Sequence, residues 1–258
     1  MSAIPETEKA TRAPILGLFQ SRVWRRLRKR KSALVGLGVV LFMLFVAIFA
    51  PLLAPYDPTA QSWTAVRQAP SLAHWMGTDE VGRDILSRII WGTRASLLAG
   101  LTSVAIAIAI GVPLGLAAGF LGGVIDGLIS RFTDALLACP SLILAIALAS
   151  FLGPSLTNAM IAIGITATPL FIRLSRGQVL SIRNEEYVEA ASVVGNPRWR
   201  IAVRHILPNI LPQLTVQATL TIASAIISEA SLSFLGLGLQ PPDPSWGSML
   251  NTAQRFIS

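Results

Sequence analysis

The chain has 258 residues, of which 53% are hydrophobic and only 13% are charged, and its formal net charge is +8. An average soluble domain is about 25% charged, and this much apolar sequence could not be buried in one or two cores with water-facing surfaces. The composition therefore excludes an ordinary soluble protein and indicates a chain that exposes apolar side chains to lipid. A disulfide framework is also excluded, because the single cysteine, Cys139, has no partner; we expect it to be a small buried hydrophobe.

The positive charge is concentrated near the N-terminus, where residues 22–31 (RVWRRLRKRK) include seven basic side chains directly before the first apolar run. A cluster of this kind beside a membrane helix is a topology signal, and binding to lipid head groups would use the same residues. Nucleic acid is not an expected partner, because no aromatic platform or recognised nucleic-acid-binding fold accompanies the cluster. We therefore predict that residues 1–33 form a basic cytoplasmic segment.

Long uncharged stretches follow, and a bilayer core of about 30 Å requires roughly 20 helical residues to cross it. Four stretches contain no charged residue: 32–56, 95–125, 135–172 and 206–228. The third is long enough for two spans separated at Gly153-Pro154-Ser155. The sequence thus predicts an all-α, polytopic transmembrane bundle with five spans, at residues 34–53, 97–119, 133–152, 156–175 and 212–233. A cleaved signal peptide is the alternative for the first span, but its apolar region is too long and Pro51 occupies the cleavage position.

The distribution of Lys and Arg predicts the orientation of these spans. With a cytoplasmic N-terminus, sixteen basic residues lie in or beside the inner segments and five lie in the outer ones. This places segment 54–96 outside the cell membrane and residues 176–211 in the cytoplasm. Within the outer segment, Val81, Ile85, Ile89 and Ile90 share one helical face, which predicts an interfacial helix leading into the second span.

The second span carries small residues at every fourth position, which lets a neighbouring helix approach closely. The helix-packing positions of this stripe include Gly111, Gly115 and Gly119, which follow Ala99, Ser103 and Ala107. Two interpretations stay open: a fixed helix contact, or a surface that slides during gating. Pro113 lies within the stripe and removes one backbone hydrogen bond, so a kink is possible in either case.

The cytoplasmic stretch 186–208 reads EYVEAASVVGNPRWRIAVRHILP and is sharply punctuated. Asn184 is suited to cap a first helix that runs to about Val194, and Gly195 is suited to a left-handed position after it. Asn196 would cap a second helix with Pro197 as its first residue, ending near Pro208. The sequence thus predicts a rigid helix-turn-helix hairpin, either a docking element for a partner protein or a simple connector.

Three stretches together resemble the permeases of ABC importers. EAASVVG and ILP (189–195 and 206–208) resemble the EAA loop of that family, although His205 stands where the family has Ile and Ile206 follows it. GTDEVGRDILSRIIWGTRASL (77–97) and SEASLSFLGLGLQPPDPSWGSML (228–250) resemble the branch that transports dipeptides, oligopeptides and nickel. The chain looks like the second of two unlike permeases in such a transporter.

The resemblance implies a multi-pass protein of the inner (plasma) membrane that forms half of a pathway for peptides or similar small solutes. Its partners would be a second, unlike permease, two ATP-binding subunits and an extracytoplasmic solute-binding protein. The family has six spans, so a sixth is expected beyond the five in this sequence. The residues implied in docking to the ATPase are those of the EAA loop: Glu189, Ala190, Ala191, Gly195, Asn196, Pro197, Ile206, Leu207 and Pro208.

The sequence lacks the motifs of an enzyme. It contains no G-x-x-x-x-G-K-[ST] phosphate-binding loop, so ATP hydrolysis would come from partner subunits. We predict no catalytic residue, cofactor or metal site, since His74 and His205 fall on opposite sides of the predicted membrane.

Glu229 is an acid at the end of an uncharged run, where we expect a hydrogen bond to a loop or neighbouring helix. An ion- or proton-coupled carrier without an ATPase is the alternative function, and a membrane scaffold is a third.

Overall fold

A computed structural model describes residues 30–256, so the predicted basic segment 1–33 lies almost entirely outside the described residues. The chain divides into two compact units, Met1–Ile48 and Phe49–Ser258. The first contains helix α1, Lys31–Ile48. The helices of the second are α2 Ala50–Leu53, α3 Ile85–Leu121, α4 Gly123–Leu137, α5 Ser141–Leu152, α6 Leu156–Ile182, α7 Glu186–Val193, α8 Arg198–Ile201, α9 Leu207–Phe234 and α10 Trp246–Gln254, with a 3-10 turn at Trp63–Ala65 and a π-helical turn at Ala202–Ile206.

The predicted all-α membrane bundle is confirmed. Helices α1, α3 and α6 and the continuous stretch Arg198–Phe234 are each long and apolar enough to cross a membrane. Helices α4 and α5 form a fifth candidate as a broken pair, bent by 91°. Between residues 30 and 256 the chain contains no β-strand, and an isolated bridge pairs Thr78 with Asp84.

Two of the predicted spans are not single helices. The third, 133–152, is interrupted at residues 138–140, where Pro140 is extended (φ −54°, ψ 128°) and Cys139 is half-buried rather than buried. Proline cannot donate a backbone hydrogen bond and disfavours helical backbone in the residue before it. The first span, predicted at 34–53, ends at Ile48 for a related reason, because Pro51 lies in the first turn of a separate short helix.

Helix α3 begins twelve residues before the predicted span and has 37 residues. Asp84 caps it, since its carboxylate accepts hydrogen bonds from the backbone N–H of Ser87 at 2.8 Å and from the Ser87 hydroxyl at 2.7 Å. The predicted helix leading into the second span is present from Ile85 onward and is continuous with that span, whereas Val81 lies before the cap and outside the helix.

Among the described helices, α3 and α6 form the most extensive contact, and Gly111, Gly115 and Gly119 of α3 lie in it. A Cβ added at Gly111 would lie 2.7 Å from the Cβ of Phe171, and one at Gly119 would lie 2.7 Å from the Cβ of Val179. The hydroxyl of Ser103 donates to the carbonyl of Met160 at 3.1 Å across the same contact. The two backbones are therefore too close for larger side chains, as expected for small-residue packing between membrane helices.

Glu229 ties α9 to α3. Its carboxylate is fully buried and accepts hydrogen bonds from the hydroxyls of Ser233, at 2.7 Å, and Ser96 of α3, at 3.4 Å. The expected hydrogen bond to a neighbouring helix is thus present. A buried carboxyl group is stable only when its oxygens are paired in this way.

Segment 54–84 is folded back onto the start of α3 by polar contacts. His74 Nδ1 lies 2.9 Å from Asp84 Oδ1, the ring of Tyr56 lies over that of His74 with centroids 4.8 Å apart, and the Tyr56 backbone N–H donates to the Ser87 hydroxyl. Arg88 is buried and donates to two backbone carbonyls at 2.8 and 3.1 Å, those of Pro58 and Pro242. This arginine therefore connects the segment to the loop that follows α9.

Asp84→Asn is expected to lower the free energy of unfolding by about 1 kcal/mol, because it weakens the contacts that Asp84 makes with Ser87 and His74. Burial by itself raises the pKa of Asp84, but hydrogen bonds from Ser87 and His74 outweigh it and hold that pKa below its ordinary value. Because this pKa is lower in the folded state than in the unfolded state, the ionised carboxylate stabilises the fold at pH values above the unfolded-state pKa of about 4. That stabilisation is lost as pH falls through the folded-state pKa. The free-energy difference between wild type and Asp84→Asn, measured by unfolding in mixed micelles, should therefore shrink from pH about 6 to about 3; a constant difference would contradict it.

Candidate docking site

Helices α7 and α8 form a hairpin between the spans α6 and α9. Helix α7 begins after Glu185, whose backbone is extended (φ −73°, ψ 143°) and whose side chain makes no capping bond. The predicted cap, Asn184, is therefore wrong by one residue. The chain leaves α6 through a turn in which the backbone N–H of Glu185 donates to the carbonyl of Ile182 at 3.0 Å, and this turn includes Asn184.

The turn of the hairpin is centred on Gly195, whose φ of 86° confirms the predicted left-handed position. The N–H of Gly195 donates to Ser192 O at 3.0 Å and that of Asn196 donates to Ala191 O at 3.3 Å. These two bonds form a Schellman motif. The side-chain amide of Asn196 also donates to Ala191 O, at 3.0 Å, so Asn196 closes the end of α7.

The start and end of α8 differ from the prediction. Pro197, rather than Asn196, is the capping residue of α8, because the amide of Asn196 is occupied at the other helix. Pro208 does not end the helix but lies in the first turn of α9. Because proline has no backbone N–H, the carbonyl one turn before Pro208 receives no hydrogen bond from it. The helix adjusts to this missing bond by forming a π-helical turn at Ala202–Ile206. Helix α8 and span α9 are consequently continuous.

The hairpin is packed into the same apolar core as the spans. Its buried side chains Val188, Ala191, Ile201 and Ile206 belong to one cluster with residues of α6 and α9 such as Val179. The amide of Asn209 on α9 also donates to the hydroxyl of Tyr187 on α7, at 3.2 Å. A rigid displacement of the hairpin would therefore move α6 and α9 with it.

The tip of the hairpin exposes apolar side chains. Val193, Val194 and Trp199 are 87%, 82% and 66% exposed. No atom lies within 4 Å of a Cβ added at Gly195, so the turn faces open space. Clustered apolar side chains on a polar loop are typical of a protein interaction site.

The predicted docking residues are divided between the two sides of the hairpin. Four face outward: Glu189, Ala190, Gly195 and Pro197. Ala191 and Ile206 are buried, Leu207 and Asn196 are half-buried, and Pro208 is exposed at the start of α9. Sequence reasoning missed the apolar tip, although apolar residues on the helical face opposite Val188 and Ala191 were a signal for it.

Ion pairs hold α6 against α4 just before the hairpin. The guanidinium of Arg176 contacts both carboxylate oxygens of Asp126, at 2.5 and 2.8 Å, and Arg173 contacts Asp134 at 2.8 Å. Arg183 donates to the carbonyl of Gly119 at the end of α3, at 3.3 Å. The end of α6 that leads into the hairpin is therefore fixed to two other helices.

No group of three or more His, Cys, Asp or Glu side chains that could hold a metal ion occurs among residues 30–256. A cavity of about 630 Å³ lies between the start of α3 and α10, with Arg67, Arg88 and Trp246 in its lining. The guanidinium of Arg67 lies 4.0 Å from the ring centroid of Phe256 beside it.

Two family models match the chain. Residues 111–258 match the binding-protein-dependent transport system inner membrane component, and residues 19–70 match the N-terminal transmembrane domain of oligopeptide transport permease C. The chain is 50% identical over 219 residues to the probable D,D-dipeptide transport system permease protein DdpC of Escherichia coli strain K12, covering 85% of this chain and 74% of that protein. It is 47% identical over 262 residues to the dipeptide transport system permease protein DppC of the same strain, covering 99% and 87%.

A solved structure shares the fold. The MetNI methionine ABC transporter, in an inward-facing conformation, has a chain that matches with a TM-score of 0.56 at 20% identity, covering 64% of this chain and 79% of that one. At that identity the likeness concerns the fold alone. The chain therefore belongs to the family of binding-protein-dependent transport system inner membrane components, and it is a multi-pass inner-membrane permease subunit of an ABC transporter that also contains an ATPase and a solute-binding protein.

Proposed function

We propose that this chain forms half of the pathway of an ATP-driven importer for peptides or similar small solutes. Relatives about half identical to it are named for the transport of dipeptides, and a glutathione transport permease of Salmonella typhimurium is 47% identical over 232 residues. The other half would come from a second, unlike permease. ATP hydrolysis would be performed by two partner subunits, since the sequence has no phosphate-binding loop of its own.

We propose further that the hairpin Glu186–Ile206 is the element that docks to the ATPase. The observation that supports this proposal best is the combination of an exposed apolar tip with a buried base that shares its core with α6 and α9. A tip of that kind suits a groove on a partner, and the buried base makes the hairpin move with the spans. Glu189, Ala190, Gly195 and Pro197 would lie at the contact together with Val193, Val194 and Trp199, while Ala191 and Ile206 would hold the hairpin in place.

The transporter assembled in proteoliposomes tests this function. With ATP inside and the solute-binding protein outside, we expect uptake of a labelled dipeptide that stops when either ATP or the ATPase is withheld. Uptake driven by an ion gradient in the absence of the ATPase would contradict the proposal and would favour a secondary carrier.

The proposed orientation, with a cytoplasmic N-terminus, predicts that segment 54–84 is accessible from outside. Leu72 is 98% exposed and is the best site for a probe. In a Cys139→Ala background expressed without the ATPase, Leu72→Cys should react with a membrane-impermeant thiol reagent in intact spheroplasts, whereas Val194→Cys at the hairpin tip should react only after lysis. The reverse pattern would overturn the proposed topology.

A further inference from the structure

Span α9 carries uncharged polar side chains along its whole length. They recur at intervals of four, four, three, four and three residues: Gln213, Gln217, Thr221, Ser224, Ser228 and Ser231. At 3.6 residues per turn, these six positions fall within an arc of about 80° on one side of the helix. We refer to these six residues as the polar stripe.

The polar stripe lies at the border between the packed face of α9 and its outward face. On one side, Leu214, Ala225 and Leu232 are buried in the core. On the other side, apolar residues such as Val216 and Ile227 are exposed. Within the stripe, Thr221 is buried, Gln213 and Ser224 are exposed, and Gln217, Ser228 and Ser231 are half-buried. The stripe is thus partly accessible from outside the bundle.

The two glutamines indicate that this side of α9 meets water or a polar partner rather than lipid. A hydroxyl can be satisfied within its own helix, as those of Thr215 and Thr219 are by donating to Leu211 O and Val216 O at 2.8 Å. The side-chain amide of Gln217 donates one N–H to the Thr221 hydroxyl at 3.1 Å, one turn on in the same helix, but its carbonyl oxygen and the whole amide of Gln213 make no hydrogen bond to any of residues 30–256. An exposed amide without a partner is costly in hydrocarbon, so it requires water or a polar partner.

We propose that the polar stripe is the surface of the pathway that the transported solute contacts, and that it binds the backbone of a peptide. This inference rests on the proposed function. Amide and hydroxyl groups both donate and accept hydrogen bonds, as the peptide unit itself requires. No charged side chain occurs between Arg204 and Glu229, and Glu229 is buried, so the surface accepts a backbone without selecting the charge of the side chains.

Two observations favour the solute over a second membrane helix as the occupant. Contacts between membrane helices favour small residues, as α3 and α6 show, whereas the stripe includes two glutamines of which one is exposed. Helix α9 is also continuous with α8 of the docking hairpin through the π-helical turn Ala202–Ile206. A displacement of the hairpin would therefore reorient the stripe directly.

Cysteine accessibility in the assembled, ATPase-containing transporter tests the placement of the stripe. In a Cys139→Ala background, single cysteines at Gln213, Gln217 and Ser224 should react severalfold faster with a hydrophilic thiol reagent than cysteines at the outward apolar positions Val216 and Ala223. Saturating dialanine should slow the reaction at the stripe only. Stripe cysteines that react only when this chain is expressed without the second permease would show a helix contact and would overturn the inference.

Charge selectivity separates a contact with solute from a merely structural role. Gln217→Leu should lower the uptake of alanyl-alanine, lysyl-alanine and glutamyl-alanine by the same factor, about three- to tenfold. Gln217→Glu should raise the uptake ratio of the lysyl to the glutamyl peptide by about tenfold. An unchanged ratio in a variant that still transports would overturn the inference alone. A wild-type transporter that takes up none of the three peptides would overturn the proposed function, and the inference with it.

Discussion

Gly195→Asp is expected to abolish uptake while the protein still inserts in the membrane at its wild-type level. The residue has a φ of 86°, which costs roughly 1–2 kcal/mol for a side chain with a Cβ. This strain is small for a bundle whose spans pack elsewhere, and the added Cβ meets no atom within 4 Å. The carboxylate would instead stand between the apolar tip and the proposed ATPase groove, where an unpaired charge is costly to bury.

The measurement is co-purification of the ATPase with the permease, together with ATP hydrolysis stimulated by loaded binding protein. We expect both to fall by about tenfold or more in Gly195→Asp. Gly236→Asp is a matched control, since Gly236 also has a positive φ (81°) and open space around it but follows the far end of α9. That variant should keep ATPase binding. Glu189→Ala should have a milder effect than Gly195→Asp, because it removes one exposed side chain and leaves the turn intact.

Wild-type ATPase binding and hydrolysis in Gly195→Asp would mean that the hairpin is only a connector. Equal losses in Gly195→Asp and Gly236→Asp would point to a general defect of folding. Only a loss confined to Gly195→Asp supports docking at the tip.

The turn at Gly195 was predictable because its signal is local. A glycine after a short amphipathic helix favours the left-handed backbone that a Schellman motif requires, and the residues that make its bonds are within five positions. The capping role of Asn196 was less predictable. The side chain of Asn can accept a hydrogen bond at the start of the following helix or donate one at the end of the preceding helix. Asn196 takes the second role, because its amide donates to the carbonyl of Ala191.

The ends of the spans depend on contacts that hydropathy does not contain. The uncharged stretch 135–172 continues through the break at Pro140, so composition alone predicts an unbroken helix there. Conversely, α3 extends through Arg88 although a charge usually marks the end of a span. Its guanidinium donates hydrogen bonds to the carbonyls of Pro58 and Pro242, the latter 154 residues away, and its charge is paired with the carboxylate of Asp79 at 3.6 Å. Partners at that separation cannot be identified from a local pattern.

Gly115→Ala is expected to destabilise the bundle by about 1–2 kcal/mol, although alanine is the better helix former by about 1 kcal/mol. The added Cβ would lie 2.6 Å from the carbonyl oxygen of Ile172 and 2.6 Å from the Cβ of Ser175. Both contacts are far inside van der Waals distance, and one is with backbone that cannot rotate away. Overpacking of this kind costs about 1–3 kcal/mol, which outweighs the gain in helix propensity.

Gly177→Ala is the matched control, because Gly177 lies in α6 two residues after Ser175 and a Cβ there meets no atom within 4 Å. It should leave the free energy of unfolding in mixed micelles unchanged or raise it by up to about 1 kcal/mol. The two glycine variants are thus expected to change stability in opposite directions. A loss of stability in both, or in neither, would contradict a close contact at Gly115.

Ser175→Gly in the Gly115→Ala background completes the test, because it removes one of the two close contacts and leaves the carbonyl of Ile172 in place. We expect this double variant to recover only part of the stability that the first substitution loses, after correction for Ser175→Gly alone. Helix α6 continues into the docking hairpin, and Arg176 on it contacts Asp126. A displaced α6 should therefore also weaken ATP-driven uptake in Gly115→Ala, and the partial recovery of stability should be accompanied by a partial recovery of uptake.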